Sequence, residues 1–213
     1  MKTDELIAVL STNVEPVDTG RIVSNVLVAI VLGTAAALAA AVFALGVRMD
    51  LHESNALAFL LVKLTFGFAV VGLASMYLIK HIRPGGEFHS WLALTTLPFL
   101  AAMILAAINL ISAPPSHWKN MALGDEWLQC LLSIPIIAIV PFAVIMWAVR
   151  LAAPTDLVRT GALAGLLAGG MSATAYALHC TDDSLSFVAL WYGGTVLLCT
   201  LAGAALGPRL LRW

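Results

Sequence analysis

Residues 22–47 read IVSNVLVAIVLGTAAALAAAVFALGV, an apolar run with a charge only at its borders, Arg21 and Arg48. A bilayer core about 30 Å thick is crossed by roughly 20 helical residues at about 1.5 Å each, so Ile22 to Val47 is long enough to span. Working outward, five further runs of that kind are bounded by charge or by Pro and Gly. They are Ala56 to Ile79, Trp91 to Ile111, Leu128 to Val149, Leu157 to Leu178 and Ser186 to Leu206. The composition agrees. Of 213 residues, 61% are hydrophobic and 11% charged, with a mean hydropathy of +0.97, against roughly 45–50% and about 25% in soluble domains. The expected fold is all-α: a polytopic transmembrane bundle of six helices, over residues 22–208.

A formal net charge of −1 gives no electrostatic case for direct nucleic-acid binding, and three cysteines are too few for a disulfide-built scaffold. The opening Met1-Lys2-Thr3-Asp4-Glu5 has no signal-peptide pattern, so the first span is expected to stay as an anchor. Basic residues set the orientation, because cytoplasmic loops carry the excess. With the N-terminus inside, the inner side holds Lys2, Arg21, Lys80, Arg83, Arg150, Arg159, Arg209 and Arg212, and the outer side Arg48 and Lys119. Both termini, residues 1–21 and 209–213, are therefore expected in the cytoplasm. Trp91, Trp127, Trp147 and Trp213 fall near span ends, as interfacial aromatics do. The longest outer loop, Ser112 to Trp127, contains Pro114-Pro115 and Gly124-Asp125-Glu126, which read as turns.

Chemistry must come from the scarce polar residues. Cys130 lies in the first turn of the fourth span and Cys180 just past the fifth, both expected on the outer, periplasmic face under this topology. Three readings fit such a pair: a structural disulfide, a redox- or metal-sensing pair, and two unrelated small buried side chains. His179, Asp182 and Asp183 adjoin Cys180, and His117 lies in the facing loop with Asp125 and Glu126. That mixture of thiolate, imidazole and carboxylate makes His179, Asp182, Asp183 and His117 candidate auxiliary ligands for a divalent heavy-metal ion, although no zinc spacing is present. Cys199, mid-span, reads as a small buried hydrophobe.

Lys63 is the one clear ionisable residue inside a span. Such a charge either serves function or escapes its cost, by snorkelling or by pairing with Asp50, Glu53, Asp125 or Asp182. Gly161, Gly165 and Gly169 recur every fourth residue in the fifth span and predict close helix packing. Pro98, Pro135 and Pro141 predict kinks. In the N-terminal segment Thr3 is an N-cap candidate, Asp4 and Glu5 suit a first helical turn, and Leu6, Ile7 and Leu10 share one face. So short an amphipathic segment must dock on something, and its acidic start points to a partner protein over anionic lipid.

Several stretches together resemble the NrsF-type membrane anti-sigma factors of proteobacteria. They are Met1 to Ile7, Leu61-Val62-Lys63-Leu64-Thr65-Phe66, Arg83-Pro84-Gly85, Trp127 to Pro135, Tyr176 to Ser184 with Phe187 to Tyr192, and Gly207-Pro208-Arg209-Leu210. The resemblance implies a six-span, multi-pass protein of the bacterial inner membrane with no required cofactor and no enzymatic activity. Its cytoplasmic N-terminal segment, with Thr3, Asp4, Glu5, Leu6, Ile7 and Leu10, would hold an extracytoplasmic-function sigma factor. Oxidation or heavy metal acting at Cys130 and Cys180 would release that partner. The competing classes are a membrane thiol-disulfide exchange enzyme, against which the missing CxxC counts, and a small transporter, which needs a polar path.

Overall fold

The computed structural model describes residues 3, 7, 19–50, 52–82 and 92–212. The described residues form helices, turns and loops, with no strand among them. The long helices are α1 (Thr19–Ala44), α2 (Ser54–His81) and α3 (Leu92–Ser112). A 3-10 turn (Pro115–His117) and the short α4 (Trp118–Leu123) lead into α5 (Trp127–Arg150) and α6 (Leu157–Tyr176). The last helix is continuous in three parts: α7 (Leu185–Phe187), a π turn (Val188–Tyr192) and α8 (Gly193–Leu210).

Among the described residues, five helices meet the length and apolarity needed to cross a membrane, and α6 does not. The reason lies in its position. Helix α6 is the centre of the bundle, packed most extensively on α8 and also on α2, α5 and α1. Thr160, Gly161 and residues 163–177 are buried. A helix with no lipid-facing stripe gains nothing from large apolar side chains; Gly, Ala, Ser and Thr instead let its neighbours approach. The hydroxyls of Ser172 and Thr174 return to the carbonyls of Ala168 and Gly170 one turn back, at 2.9 and 2.7 Å, which satisfies them without a polar path.

The outer helices show the opposite pattern. Leu27, Val31 and Phe43 on α1, Leu97, Met103 and Ile108 on α3, Ile136 and Ile139 on α5 and Leu201 on α8 are all exposed. Large apolar side chains turned outward over so many helices suit lipid and not water. Pro98, Pro135, Pro141 and Pro208 all sit inside helices that continue past them.

Two helices end short of the sequence expectation, and both differences build the site below. Helix α1 stops at Ala44, short of Val47. Gly46 there adopts φ +84°, a conformation glycine takes without steric cost, and its N–H returns to the carbonyls of Ala41 and Val42. The chain turns, and the Arg48 N–H donates to the Leu178 carbonyl at 3.0 Å. Helix α6 ends at Tyr176, so Leu178 and Cys180 belong to a turn.

Candidate functional site at the thiol end of the bundle

One end of the bundle gathers the α1–α2 connection, the segment between α3 and α5, and the loop between α6 and α7. Cys130 and Cys180 both lie here, each 0% exposed and each a free thiol. Tyr176 and Tyr192 are also wholly buried, their rings 6.0 Å apart. Their hydroxyls make no hydrogen bond of ordinary geometry, although that of Tyr192 approaches the Cys180 sulfur. Burial pushes the Cys180 thiol above its ordinary range, because a thiolate there would lose its water.

A buried charge cluster holds the Cys180 turn. Arg48 uses all of its guanidinium donors. Its Nε and Nη2 reach Asp50 at 2.6 and 2.7 Å, Nη1 and Nη2 reach Asp183 at 2.9 and 2.7 Å, and Nη1 also donates to the Cys180 carbonyl at 3.1 Å. The paired fork-to-carboxylate geometry is the strong form of this contact. Hydrogen bonding to Asp50 first, and to Asp183 second, raises the guanidinium further, and the same bond lowers Asp50 to about 2. Lys63, on α2, donates to the same carbonyl at 3.0 Å and to Asp183 at 3.1 Å.

The partner of Lys63 is thus Asp183, not Asp50, Glu53, Asp125 or Asp182. The reason is positional. Ending α6 at Tyr176 carries residues 180–183 over the end of α2, and Asp183 reaches the lysine while Asp182 faces α5. Asp182 accepts the N–H groups of Asp125 and Glu126 at 3.1 and 2.7 Å, just before α5 begins. Glu126 answers by accepting from the Thr181 N–H and hydroxyl at 3.3 and 3.1 Å. These reciprocal side-chain-to-backbone bonds tie the segment leading into α5 to the loop after α6.

Three of the four candidate auxiliary ligands make other contacts here. His179 Nδ1 lies 3.2 Å from the Gly46 carbonyl, which can only accept, so Nδ1 carries the proton; Nε2 then accepts from the Gln129 amide at 2.8 Å. Asp182 binds the N–H groups leading into α5, and Asp183 binds Arg48 and Lys63. His117 is exposed in the 3-10 turn. Among the described residues, no three His, Cys, Asp or Glu side chains are placed to hold a metal ion.

Gly124 locks the connecting segment onto this end. It adopts φ +61° and ψ −177°, a region open essentially to glycine alone, and a Cβ there would lie 2.6 Å from both Asp182 Oδ2 and the Phe187 ring. Gly124→Ala is expected to lower stability by about 1–3 kcal/mol, read as a drop in thermal midpoint in detergent; an unchanged midpoint would show that the segment shifts freely. Around it, Ser184 donates to the Met121 carbonyl at 2.8 Å, and Trp191, placed by the π turn, donates to that of Ala122 at 2.9 Å. The rings of Trp127 and Trp191 lie 5.2 Å apart, tilted by 37°.

Away from this end, Gly161, Gly165 and Gly169 lie on the α6–α8 seam and face Gly203, Gly207 and Cys199. Cys199 is buried in the same seam. In the N-terminal segment Thr3 and Ile7 are helical and exposed, while Asp4, Glu5, Leu6 and Leu10 lie outside the described residues, as does Arg83-Pro84-Gly85. Composition and spacing did not single out Arg48, Gln129, Tyr192, Gly203 or Gly207. An arginine two residues before an aspartate, straight after an apolar run, was the available signal for the first.

Similarity to known proteins fits this architecture. No solved structure matches the chain. The probable anti-sigma-F factor NrsF of Azospira oryzae is 32% identical over 213 residues, the whole of both chains. The anti-sigma-F factor NrsF of Caulobacter vibrioides is 32% identical over 219 aligned residues, again the whole of both. Both are named as regulators and not as enzymes. With a family model described as "Negative regulator of sigma F" matching residues 10–213, the chain belongs to the NrsF family.

Proposed function

We propose that this protein is an anti-sigma factor of the bacterial inner membrane that holds an extracytoplasmic-function sigma factor through its cytoplasmic N-terminal segment. The observation that carries this reading is the match to two anti-sigma-F factors over their entire lengths. Six crossings with both termini inside suit it, since a sigma factor works in the cytoplasm.

Cys130 and Cys180 are the proposed signal receiver, supported by their burial as free thiols at one end of the bundle. Oxidation, or capture of a soft metal ion, would change how α5 and the α6–α7 loop pack. A coupling of about 1–3 kcal/mol between that end and the cytoplasmic face changes partner affinity about 5- to 150-fold.

The test is co-purification of the cognate sigma factor from membranes. Deleting residues 1–20 is expected to remove the partner while the bundle stays in the membrane; undiminished recovery would place the binding surface elsewhere. Replacing both Cys130 and Cys180 with Ser is expected to make partner retention insensitive to oxidant and metal. Unchanged release from that variant would sink the thiol reading and leave the anti-sigma reading intact.

A further inference from the structure

Helix α1 leads directly out of the proposed partner-binding segment, since its first residue, Thr19, lies inside residues 1–21. Along its length α1 packs on α5 and α6 and hardly meets α2. Its buried positions are Val26, Ala29, Gly33, Ala37 and Ala41, spaced by three or four residues on one face. A Cβ on Gly33 would lie 3.3 Å from both the Met171 sulfur and the Pro141 Cα, so the helices run close. Alanine and glycine give little that interlocks, and a seam of this kind resists sliding weakly.

The anchor of α1 lies just past its last residue. The Gly46 carbonyl meets His179 Nδ1 at 3.2 Å, and the Arg48 N–H donates to the Leu178 carbonyl at 3.0 Å. The Arg48 guanidinium adds bonds to the Cys180 carbonyl at 3.1 Å and to Asp183 at 2.9 and 2.7 Å. Lys63 holds the same carbonyl and the same carboxylate from α2. One loop is thus clamped by two cations with different attachments: Lys63 roots it in the bundle, and Arg48 ties α1 to it. We infer that Arg48 is a mechanical link, through which the packing of the α6–α7 loop sets how α1 presents the partner-binding segment at its other end. The 26 residues of α1 put those ends about 40 Å apart. This rests on the reading of residues 1–21 as the segment that holds the partner, and does not require the thiols to receive the signal. The sign follows from pre-organisation. A segment carried by an anchored helix loses less freedom when the partner binds, so freeing the anchor weakens binding.

The test measures the affinity of the full-length protein in detergent for its cognate sigma factor, with thermal midpoint and hydrogen exchange read on the same samples. Arg48→Met leaves Asp50 without its partner, so the paired variant Arg48→Met with Asp50→Asn is measured beside it; Lys63 still neutralises Asp183 in both. Both variants are expected to weaken binding about fivefold or more, and to speed exchange along α1 as far as residues 19–25. Lys63→Gln keeps a donor for the Cys180 carbonyl and touches no residue of α1; it is expected to leave affinity within about twofold, below the range of such coupling, whatever it costs in thermal midpoint. A merely structural role for Arg48 predicts instead that affinity follows thermal midpoint in every variant. Unchanged affinity in the paired variant, faster exchange confined to residues 40–50, or equal weakening by Lys63→Gln overturns the inference. Undiminished binding after deletion of residues 1–20 sinks the parent reading; binding lost on that deletion but untouched by the Arg48 variants sinks this inference alone.

Discussion

Gly165→Leu is expected to abolish recovery of a folded bundle. A Cβ on Gly165 would fall onto the Cys199 carbonyl oxygen, one on Gly161 onto that of Gly203, and one on Gly203 onto that of Gly161. Gly207 meets the Leu157 carbonyl in the same way. These neighbours are backbone, so no side chain can rotate aside; α6 and α8 would have to separate along their length. Overpacking a core costs typically ~1–3 kcal/mol and occasionally more. Here the cost belongs at or above the top of that range, because α6 is the element on which α1, α2, α5 and α8 all pack. Monodisperse yield and thermal midpoint in detergent are the measurements. Gly72→Leu is the control, since nothing lies within 4 Å of a Cβ built there, and it should behave as wild type. Near-normal yield of Gly165→Leu would refute the backbone-to-backbone seam.

Asp183→Ala is expected to cost about 3–5 kcal/mol, the usual penalty for removing one partner from a buried ion pair. Asp183 neutralises Lys63 and half of the Arg48 fork, and both cations have side chains with 0% exposure while Asp183 keeps 22%. Without it Lys63 retains only the Cys180 carbonyl, and Arg48 keeps Asp50. The partial exposure of Asp183 admits some water and places the loss toward the lower end. Asp183→Asn, which keeps an acceptor, should lose less. Combining Lys63→Met with Asp183→Ala should cost less than the sum of the two, because neither charge is then left unpaired. Additive losses in denaturant midpoint would show that the two side chains do not depend on each other.

The long helices were legible because their signal is local. A run such as 22–47 has one way to satisfy its backbone in lipid, and helix follows from length and apolarity alone. The packing role of Gly161, Gly165 and Gly169 was legible for the same reason, since four-residue spacing puts them on one helix face. Their partners were not, because Gly203 and Gly207 lie on a helix whose contact with α6 is a matter of assembly. Lys63 was recognisable as anomalous, but its counter-ion was not: the choice between Asp182 and Asp183 rests on where α6 ends. The contacts of His179, Asp182 and Asp183 were hidden on the same ground, since adjacency in sequence left open which neighbour each side chain would meet.

By itself, then, the sequence determined a bundle of helices long and apolar enough to cross a membrane and the few positions where polarity is concentrated, because that signal lies in local composition and length. Only the tertiary structure decided that α6 is the buried axis, that Arg48 and Lys63 converge on one carbonyl beside Cys180, and that Asp182 and Asp183 serve different helices. Those outcomes depend on contacts between segments distant in sequence, from Glu126 with Asp182 to Arg48 with Asp183, which no local rule specifies.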